Sequence, residues 1–253
     1  GAFLLVVATL LFEVYGTSGN DGGTRFAGVL GLNLVFGIAG SICLSRPGLR
    51  FVGRSYVAIF ALMTPLTFAA AYVFLLRPHG LDVNLAVSAA GIGCILVYGA
   101  LSVRVESRGY AALALVALPV SFVGMINLVG GMAWEGALLT ALPVTFAALP
   151  RWSIERWARL YEPLRRRAIF VYAGLASAWT VFNPDTYVGS AALTARHLTA
   201  AALGLTLAYV LVAVRERRPW HTQLALAEAG LAYLGVVLRP VLGRRAGPAG
   251  VSL

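Results

Sequence analysis

The chain has 253 residues, of which 59% are hydrophobic and only 12% are charged. A soluble globular domain carries about twice that charged fraction, so the composition excludes a water-soluble core of this length. The basic residues are all arginines and give a net charge of +10, but they lie in short loops between apolar stretches, which indicates membrane topology and excludes nucleic-acid binding.

Nine apolar segments follow one another along the chain and predict transmembrane helices. A helix needs roughly 20 apolar residues to cross a bilayer, and the first, sixth and seventh segments are short for this. We therefore predict an all-α integral membrane protein with eight or nine transmembrane helices in sequential hairpins. Residues 1–253 are expected to form a single polytopic transmembrane domain, either complete or cut from a longer chain. The segments are about 1–15, 26–45, 56–76, 84–102, 111–129, 136–149, 168–182, 198–214 and 223–242.

Arginines gather in every second loop, which predicts the orientation. The arginine-rich loops hold 14 arginines, whereas the alternating loops hold 3. Cytoplasmic loops collect arginine and lysine, so the arginine-rich loops are predicted to be cytoplasmic in a bacterial cytoplasmic (inner) membrane. A ninth crossing would put Arg244 and Arg245 outside, so either the last segment is re-entrant or this tail breaks the rule. The predicted cytoplasmic loops are 46–54, 103–109, 150–167 and 215–222.

Several residues within the early spans have both a packing and a functional interpretation. Asn33 and Asn127 lie mid-span, where an amide either hydrogen-bonds between helices, at roughly 1 kcal/mol or less, or belongs to a substrate or ion site. Prolines interrupt three spans, as they do in ordinary membrane helices and in the broken helices of transporters. Small residues four apart predict close helix contacts. The prolines are Pro65, Pro119 and Pro143, and the small pairs are Ala27/Gly31, Gly37/Ser41 and Ala89/Gly93.

Residues 151–167 form the longest polar stretch and predict an amphipathic helix on the inner leaflet, interrupted or ended near Pro163. One face carries Ile154, Trp157, Tyr161 and Leu164. We expect this helix to anchor the protein at the interface, so the lipid bilayer and its anionic headgroups are the predicted partners. The alternative is a docking surface for a membrane or cytoplasmic protein. The predicted anchoring residues are Trp152, Trp157, Arg156, Arg159, Arg165, Arg166 and Arg167.

Glu228 is the only carboxylate predicted to lie well inside a span. Burying it charged and without a partner would cost several kcal/mol. It is therefore either a substrate or ion site, with Asn33 or Asn127 as neighbours, or an ordinary carboxylate near the inner headgroups.

Cysteines and histidines are too few and too scattered to predict a metal site. The two cysteines fall mid-span and are expected to pack as small apolar residues. The three histidines lie at loop edges on different spans, so no metal and no cofactor is predicted. The sequence also lacks a lysine for a retinal Schiff base. These residues are Cys43, Cys94, His79, His197 and His221.

Two short stretches resemble O-antigen ligases and polysaccharide polymerases. Residues 25–33 are similar to an Arg/Gly/Asn stretch of these enzymes, and 221–231 to their His-containing stretch before a late span. The resemblance implies a membrane enzyme in which both stretches meet on the outer face beside a large external loop. This sequence has no such loop, and its arginine count places Arg25 outside and His221 inside.

Three classes of function remain open at this point. A permease-like or carrier-like transport protein is favoured over a membrane-embedded enzyme for lipid-linked or glycan substrates, and over a non-catalytic membrane anchor or sensor module. A transporter should have kinked spans and polar residues near the membrane midplane. An enzyme should cluster charged residues at one membrane face, and an anchor should show neither feature.

Overall fold

The protein is helical throughout the described part of the chain. The computed structural model describes residues 22–130, 134–149, 154–183, 191–216 and 220–232. Its helices are α1 Gly22–Ser45, α2 Arg50–Ala71, α3 Val83–Val105, α4 Arg108–Leu128, α5 Glu135–Leu139, α6 Ala141–Ala148, α7 Glu155–Phe182, α8 Ala191–Glu216 and α9, residues 220–232. The first predicted segment, 1–15, and the arginines of the C-terminal tail lie outside the described residues.

Within the part of the chain that the structure describes, five helical segments are long and apolar enough to cross a membrane, which agrees with the predicted all-α membrane class. They match the predicted segments 26–45, 56–76, 84–102, 111–129 and 198–214, with boundaries that differ by a few residues. The sixth predicted segment is a shorter apolar stretch, Glu135–Ala148. The five long segments are Gly22–Ser45, Pro47–His79, Val83–Val105, Arg108–Leu128 and Leu193–Arg215.

The helices form two compact units, the first ending at Gly124 and the second starting at Met125. In the first unit, α1 and α2 form a hairpin that packs through small residues. A Cβ atom placed on Gly37 would lie 3.0 Å from the Phe60 ring, and one on Gly53 would lie 2.7 Å from the backbone nitrogen of Leu44. The predicted contact at Gly37 is therefore present.

Helices α3 and α4 pack just as closely in the same unit. A Cβ atom on Gly91 would lie 2.5 Å from the Ser121 Cβ, and one on Gly124 would lie 2.8 Å from the Ser88 nitrogen. The Ser121 hydroxyl donates to the Ser88 carbonyl at 3.2 Å. Among the predicted small residues, Gly93 packs on the Phe68 ring, whereas Gly31 has no atom within 4 Å of its would-be Cβ.

Pro65 interrupts the hydrogen bonding of α2, and a side chain from α3 replaces the missing donor. Proline has no backbone N–H, so the carbonyl four residues earlier, that of Ala61, loses its helical partner. Tyr98 donates its hydroxyl to the Ala61 oxygen at 2.9 Å, and both residues are buried. Seven residues after Pro65, Tyr72–Leu76 form a π-helical turn. Helix α2 therefore continues past Pro65 with one backbone hydrogen bond missing, and its regular pattern ends at the π-helical turn.

The predicted interfacial helix at 151–167 is not a separate element. Helix α7 begins at Glu155 and continues without a break to Phe182, so it includes the seventh predicted segment. The prediction that the helix is interrupted or ends near Pro163 is wrong, because Pro163 lies inside α7. Pro163 and Arg159, whose carbonyl loses its helical donor, are both exposed residues of α7.

Candidate functional site

The second unit contains a short interrupted segment, α5 and α6, which contacts both α7 and α8. Its two helices join at Thr140, whose hydroxyl donates to the Ala137 carbonyl at 2.6 Å. At about 1.5 Å per residue, Glu135–Ala148 is about 21 Å long, shorter than the roughly 30 Å hydrocarbon core. Polar groups at its two ends therefore need partners from the protein.

Glycines allow this segment to approach its neighbours closely. A Cβ atom on Gly136 of α5 would lie 2.0 Å from the Thr180 hydroxyl of α7. A Cβ atom on Gly204 of α8 would lie 2.1 Å from the Thr140 hydroxyl. Such small-residue contacts let membrane helices pack backbone to backbone.

The first end of the segment holds a buried carboxylate, Glu135, which is 4% exposed. Its Oε2 atom accepts hydrogen bonds from Trp179 Nε1 at 2.5 Å and from Asn183 Nδ2 at 3.0 Å, both near the end of α7. The preceding residue, Trp134, packs edge-on against the His197 ring of α8, with 4.3 Å between ring centroids. His197 is 1% exposed. A carboxylate, an imidazole and two indoles therefore share this end.

The other end of the segment is bound by two arginines. Arg165 of α7 donates to the Leu149 carbonyl at 3.1 Å, and Arg215 of α8 donates to the same oxygen at 2.5 Å. They also reach the carbonyls of Phe146 and Ala147, each at 3.4 Å. Cations at a helix C-terminus and anions at its N-terminus are both favoured by the helix dipole. The charges therefore match the polarity of the segment at both ends.

Arg165 differs from the expectation that it faces lipid headgroups. Its side chain is buried and pairs with Glu162 at 2.8 Å as well as with α6. Trp157 stacks on Tyr161 with 5.3 Å between ring centroids. The predicted anchors on the exposed surface of α7 are Arg159, Arg166 and Arg167, while Trp152 and the Arg156 side chain lie outside the described residues.

The three sequence candidates for a substrate or ion site lie in different settings. Asn33 is buried in the middle of α1 and donates to the Thr67 hydroxyl of α2 at 2.9 Å. Asn127 was expected mid-span, but it is the penultimate residue of α4 and is only partly buried. Glu228 is partly buried on α9, whose first two residues, Trp220 and His221, stack on Phe170 of α7.

Tyr209 belongs to an aromatic group around Phe170 of α7. The Phe170 ring stacks on Tyr209, Trp220 and His221, with centroid distances of 6.2, 5.2 and 5.5 Å. His221 is fully buried within this group. This aromatic group links α7 to α8 and to the start of α9.

Sequence reasoning missed Glu135 because this residue lies one position before the predicted segment 136–149. The sequence pattern therefore places it in a loop. The available signal was the shortness of that segment. A stretch too short to span the bilayer cannot bring both of its ends to water, so a carboxylate at one end needs a partner from the protein. Within the described ranges, no three histidine, cysteine, aspartate or glutamate side chains come together as a metal site.

Comparison with protein-family models, curated proteins and solved structures found no match to this chain. The resemblance of 25–33 and 221–231 to O-antigen ligases therefore gains no support from these comparisons.

Proposed function

We propose that the protein is a permease-like carrier of the bacterial cytoplasmic membrane and that Glu135 contacts the transported solute. The observation that carries this proposal is the burial of Glu135 at the start of a short, interrupted apolar segment. Ionisable residues inside membrane proteins are costly and usually functional. In transporters, short or broken hydrophobic segments often mark the binding site.

The chemistry around Glu135 indicates what kind of solute the site would accept. A carboxylate attracts a cationic or hydrogen-bond-donating group. Trp134 and Trp179 are 39% and 37% exposed, so part of each indole is available for stacking or for a cation–π contact. We therefore favour a small polar solute that carries an amine or several hydroxyl groups.

The membrane arrangement that accompanies this proposal is the one derived from the sequence. It consists of one membrane domain with eight or nine spans, and it places 46–54, 103–109, 150–167 and 215–222 in the cytoplasm. Arg159, Arg166 and Arg167 would meet anionic headgroups, with Trp157 at the interface.

The carrier proposal is tested with purified protein in proteoliposomes. Amino acids, sugars and small amines are added one at a time, and their uptake is followed by mass spectrometry or by currents on a solid-supported membrane. We expect wild-type protein to move at least one of these solutes above protein-free liposomes. Glu135→Gln should reduce that uptake at least about tenfold, equivalent to 1.4 kcal/mol of lost binding.

Glu155→Gln is the matched control, because Glu155 is an exposed carboxylate in the first turn of α7. It should transport like wild type. Wild-type uptake no higher than that of protein-free liposomes for every solute would reject the carrier proposal. Equal uptake by wild type and Glu135→Gln would leave a carrier but remove Glu135 from its site.

The proposed orientation gives a separate prediction. Ser107, between α3 and α4, and Leu81, between α2 and α3, should lie on opposite sides of the membrane. Single cysteines at these positions, in a background lacking Cys43 and Cys94, should react with a membrane-impermeant maleimide from opposite sides of intact cells and inverted vesicles. Labelling of both from the same side would contradict the hairpin arrangement. Ser190, a position on the predicted outer side of the second unit, lies outside the described residues.

A membrane enzyme for lipid-linked or glycan substrates is the second candidate. The observation that favours it is the presence of Glu135 and His197 at one end of the second unit, since a carboxylate and an imidazole are common acid–base groups. Turnover of a polyprenyl-linked sugar by wild type but not by Glu135→Gln, without solute uptake, would support the enzyme. A membrane anchor or sensor module would show neither activity.

A further inference from the structure

The end of α8 carries a positive charge that no described carboxylate neutralises. Arg215, in the last turn of α8, donates from Nη1 to the carbonyl oxygens of Ala147 and Leu149, at 3.4 and 2.5 Å. Both partners are neutral, and Arg215 forms no ion pair with the residues that the structure describes. An arginine side chain does not lose its proton in proteins, so this charge is permanent.

A second guanidinium group lies beside the first. Arg165 Nη1 donates to the same Leu149 oxygen at 3.1 Å, so the two cations lie within about 6 Å of each other and repel. Arg165 is paired with Glu162 at 2.8 Å, which leaves one excess positive charge on the three side chains. The dipole at the C-terminus of α6 offsets only about half of a charge.

Arg215 also keeps hydrogen-bond donors that the described residues do not use. All of its hydrogen bonds to them come from Nη1, and the residue is partly exposed. The remaining N–H groups of a guanidinium form a planar fork that matches two oxygens of a phosphate group. The charge and the donors of Arg215 therefore both suit a phosphate.

Arg215 lies where a membrane-spanning segment ends. The segment Leu193–Arg215 has 23 residues and is apolar enough to cross a membrane, and Arg215 is its last residue. Such a helix rises about 34 Å, which spans the roughly 30 Å hydrocarbon core. Arg215 is therefore at the level of the lipid headgroups, where the phosphates of the bilayer are found.

An exposed apolar stripe runs along α8 from the level of Arg215 toward the membrane centre. Its residues are four, three and four positions apart, so they share one face of the helix. The stripe is about 16 Å long, close to the roughly 15 Å depth of hydrocarbon in one leaflet. It consists of Leu203, Leu207, Val210 and Val214, which are between 41% and 74% exposed.

We propose that Arg215 binds the phosphodiester group of one anionic phospholipid and that an acyl chain of this lipid lies along the α8 stripe. The negative charge of the lipid neutralises the excess charge beside Arg165 and so stabilises the packing of α8 on α6. A zwitterionic headgroup brings an ammonium group that Arg215 repels. The site does not depend on the carrier proposal, because Glu135 lies at the opposite end of the α5–α6 segment.

Binding is measured on the purified, delipidated full chain in a neutral detergent. Phosphatidylglycerol and phosphatidylcholine with identical acyl chains are titrated, and bound lipid is counted by native mass spectrometry. We expect wild type to bind one phosphatidylglycerol with a Kd at least about tenfold below that of phosphatidylcholine. At ten times Kd, phosphatidylglycerol should raise the apparent Tm by roughly 3–6 °C.

Arg215→Gln should lose the preference for phosphatidylglycerol and the rise in Tm. Arg215→Lys should keep part of the preference, because an ammonium group retains the charge but not the planar fork. Arg104→Gln is the matched control, since Arg104 is an exposed arginine in the last turn of α3. It should bind phosphatidylglycerol like wild type.

Three outcomes would overturn the proposed site. They are equal affinity of wild type for the two lipids, an equal loss of binding in Arg104→Gln and Arg215→Gln, and a rise in Tm with inorganic phosphate as large as that with phosphatidylglycerol. The last result would mean that free phosphate is the ligand and that the stripe contributes nothing. If Arg215→Gln does not fold, Arg215→Lys is compared with Arg104→Lys, and equal affinity of these two variants for phosphatidylglycerol would reject the site.

Discussion

A Gly91→Leu variant is expected to lose the folded state of the first unit. The space for even one carbon atom is missing, because a Cβ on Gly91 would lie 2.5, 2.7 and 2.8 Å from the Cβ, Cα and nitrogen atoms of Ser121. Two of these atoms belong to the backbone of α4 and cannot move aside as a flexible side chain would. Inserting a side chain there must separate α3 from α4, at a cost of about 3 kcal/mol or more.

The measurement is the fraction of detergent-solubilised protein that elutes as a single monodisperse peak, together with its apparent Tm. Gly91→Ala should already lower the Tm, and Gly91→Leu should abolish the peak. Gly31→Leu is the matched control, because Gly31 lies mid-helix on α1 with no atom within 4 Å of its would-be Cβ. Similar behaviour of Gly31→Leu and Gly91→Leu would contradict the close packing of α3 on α4.

Replacing Arg165 by alanine should destabilise the second unit by about 2 kcal/mol, since partly buried ion pairs and carbonyl hydrogen bonds are lost together. The change removes the donor to the Leu149 carbonyl and the partner of Glu162. The remaining oxygen of Glu162, Oε2, is already buried without a partner. Without Arg165, the Glu162 carboxylate would have lost the cation that offsets its partial loss of hydration.

For a chain of this length, the loss corresponds to roughly 4–8 °C in Tm. Arg165→Lys should fall between wild type and alanine, because an ammonium keeps the charge but cannot reach carbonyl and carboxylate together as the planar guanidinium does. Arg167 lies two positions after Arg165 on α7 and is exposed, so Arg167→Ala should change the Tm by less than about 1 °C. A Tm for Arg165→Ala equal to that of Arg167→Ala would show that the inward contacts of Arg165 contribute nothing.

The long helices were predictable because their signal is carried by each segment alone. Five apolar runs long enough to span correspond to five of the nine predicted segments. Continuity through Pro163 was not predictable, since it depends on the exposure of Arg159 and on packing that no local pattern reveals. The break at Thr140, by contrast, lies three residues before Pro143, one of the prolines predicted to interrupt a span, which removes the N–H that would bond the Leu139 carbonyl.

The candidate site shows the same division between local and tertiary information. The sequence pointed to Asn33 through its depth in a span, and the structure adds that its oxygen has no partner. The sequence could not show that Arg165 turns inward, because four other arginines nearby carry the same local signal. Glu135 was missed since its partners, Trp179 and Asn183, lie 44 and 48 residues further along the chain.

The hydrogen bond from Tyr98 to Ala61 has a consequence for the biogenesis of the protein. The chain is synthesised from its N-terminus, so α2 emerges from the ribosome before α3 exists. Ala61 has lost its helical donor to Pro65, and the replacement donor is 37 residues further along. A hairpin of α1 and α2 alone would carry this carbonyl into lipid at a cost of several kcal/mol. Insertion is therefore favoured once α3 accompanies them, as a group of three helices released together.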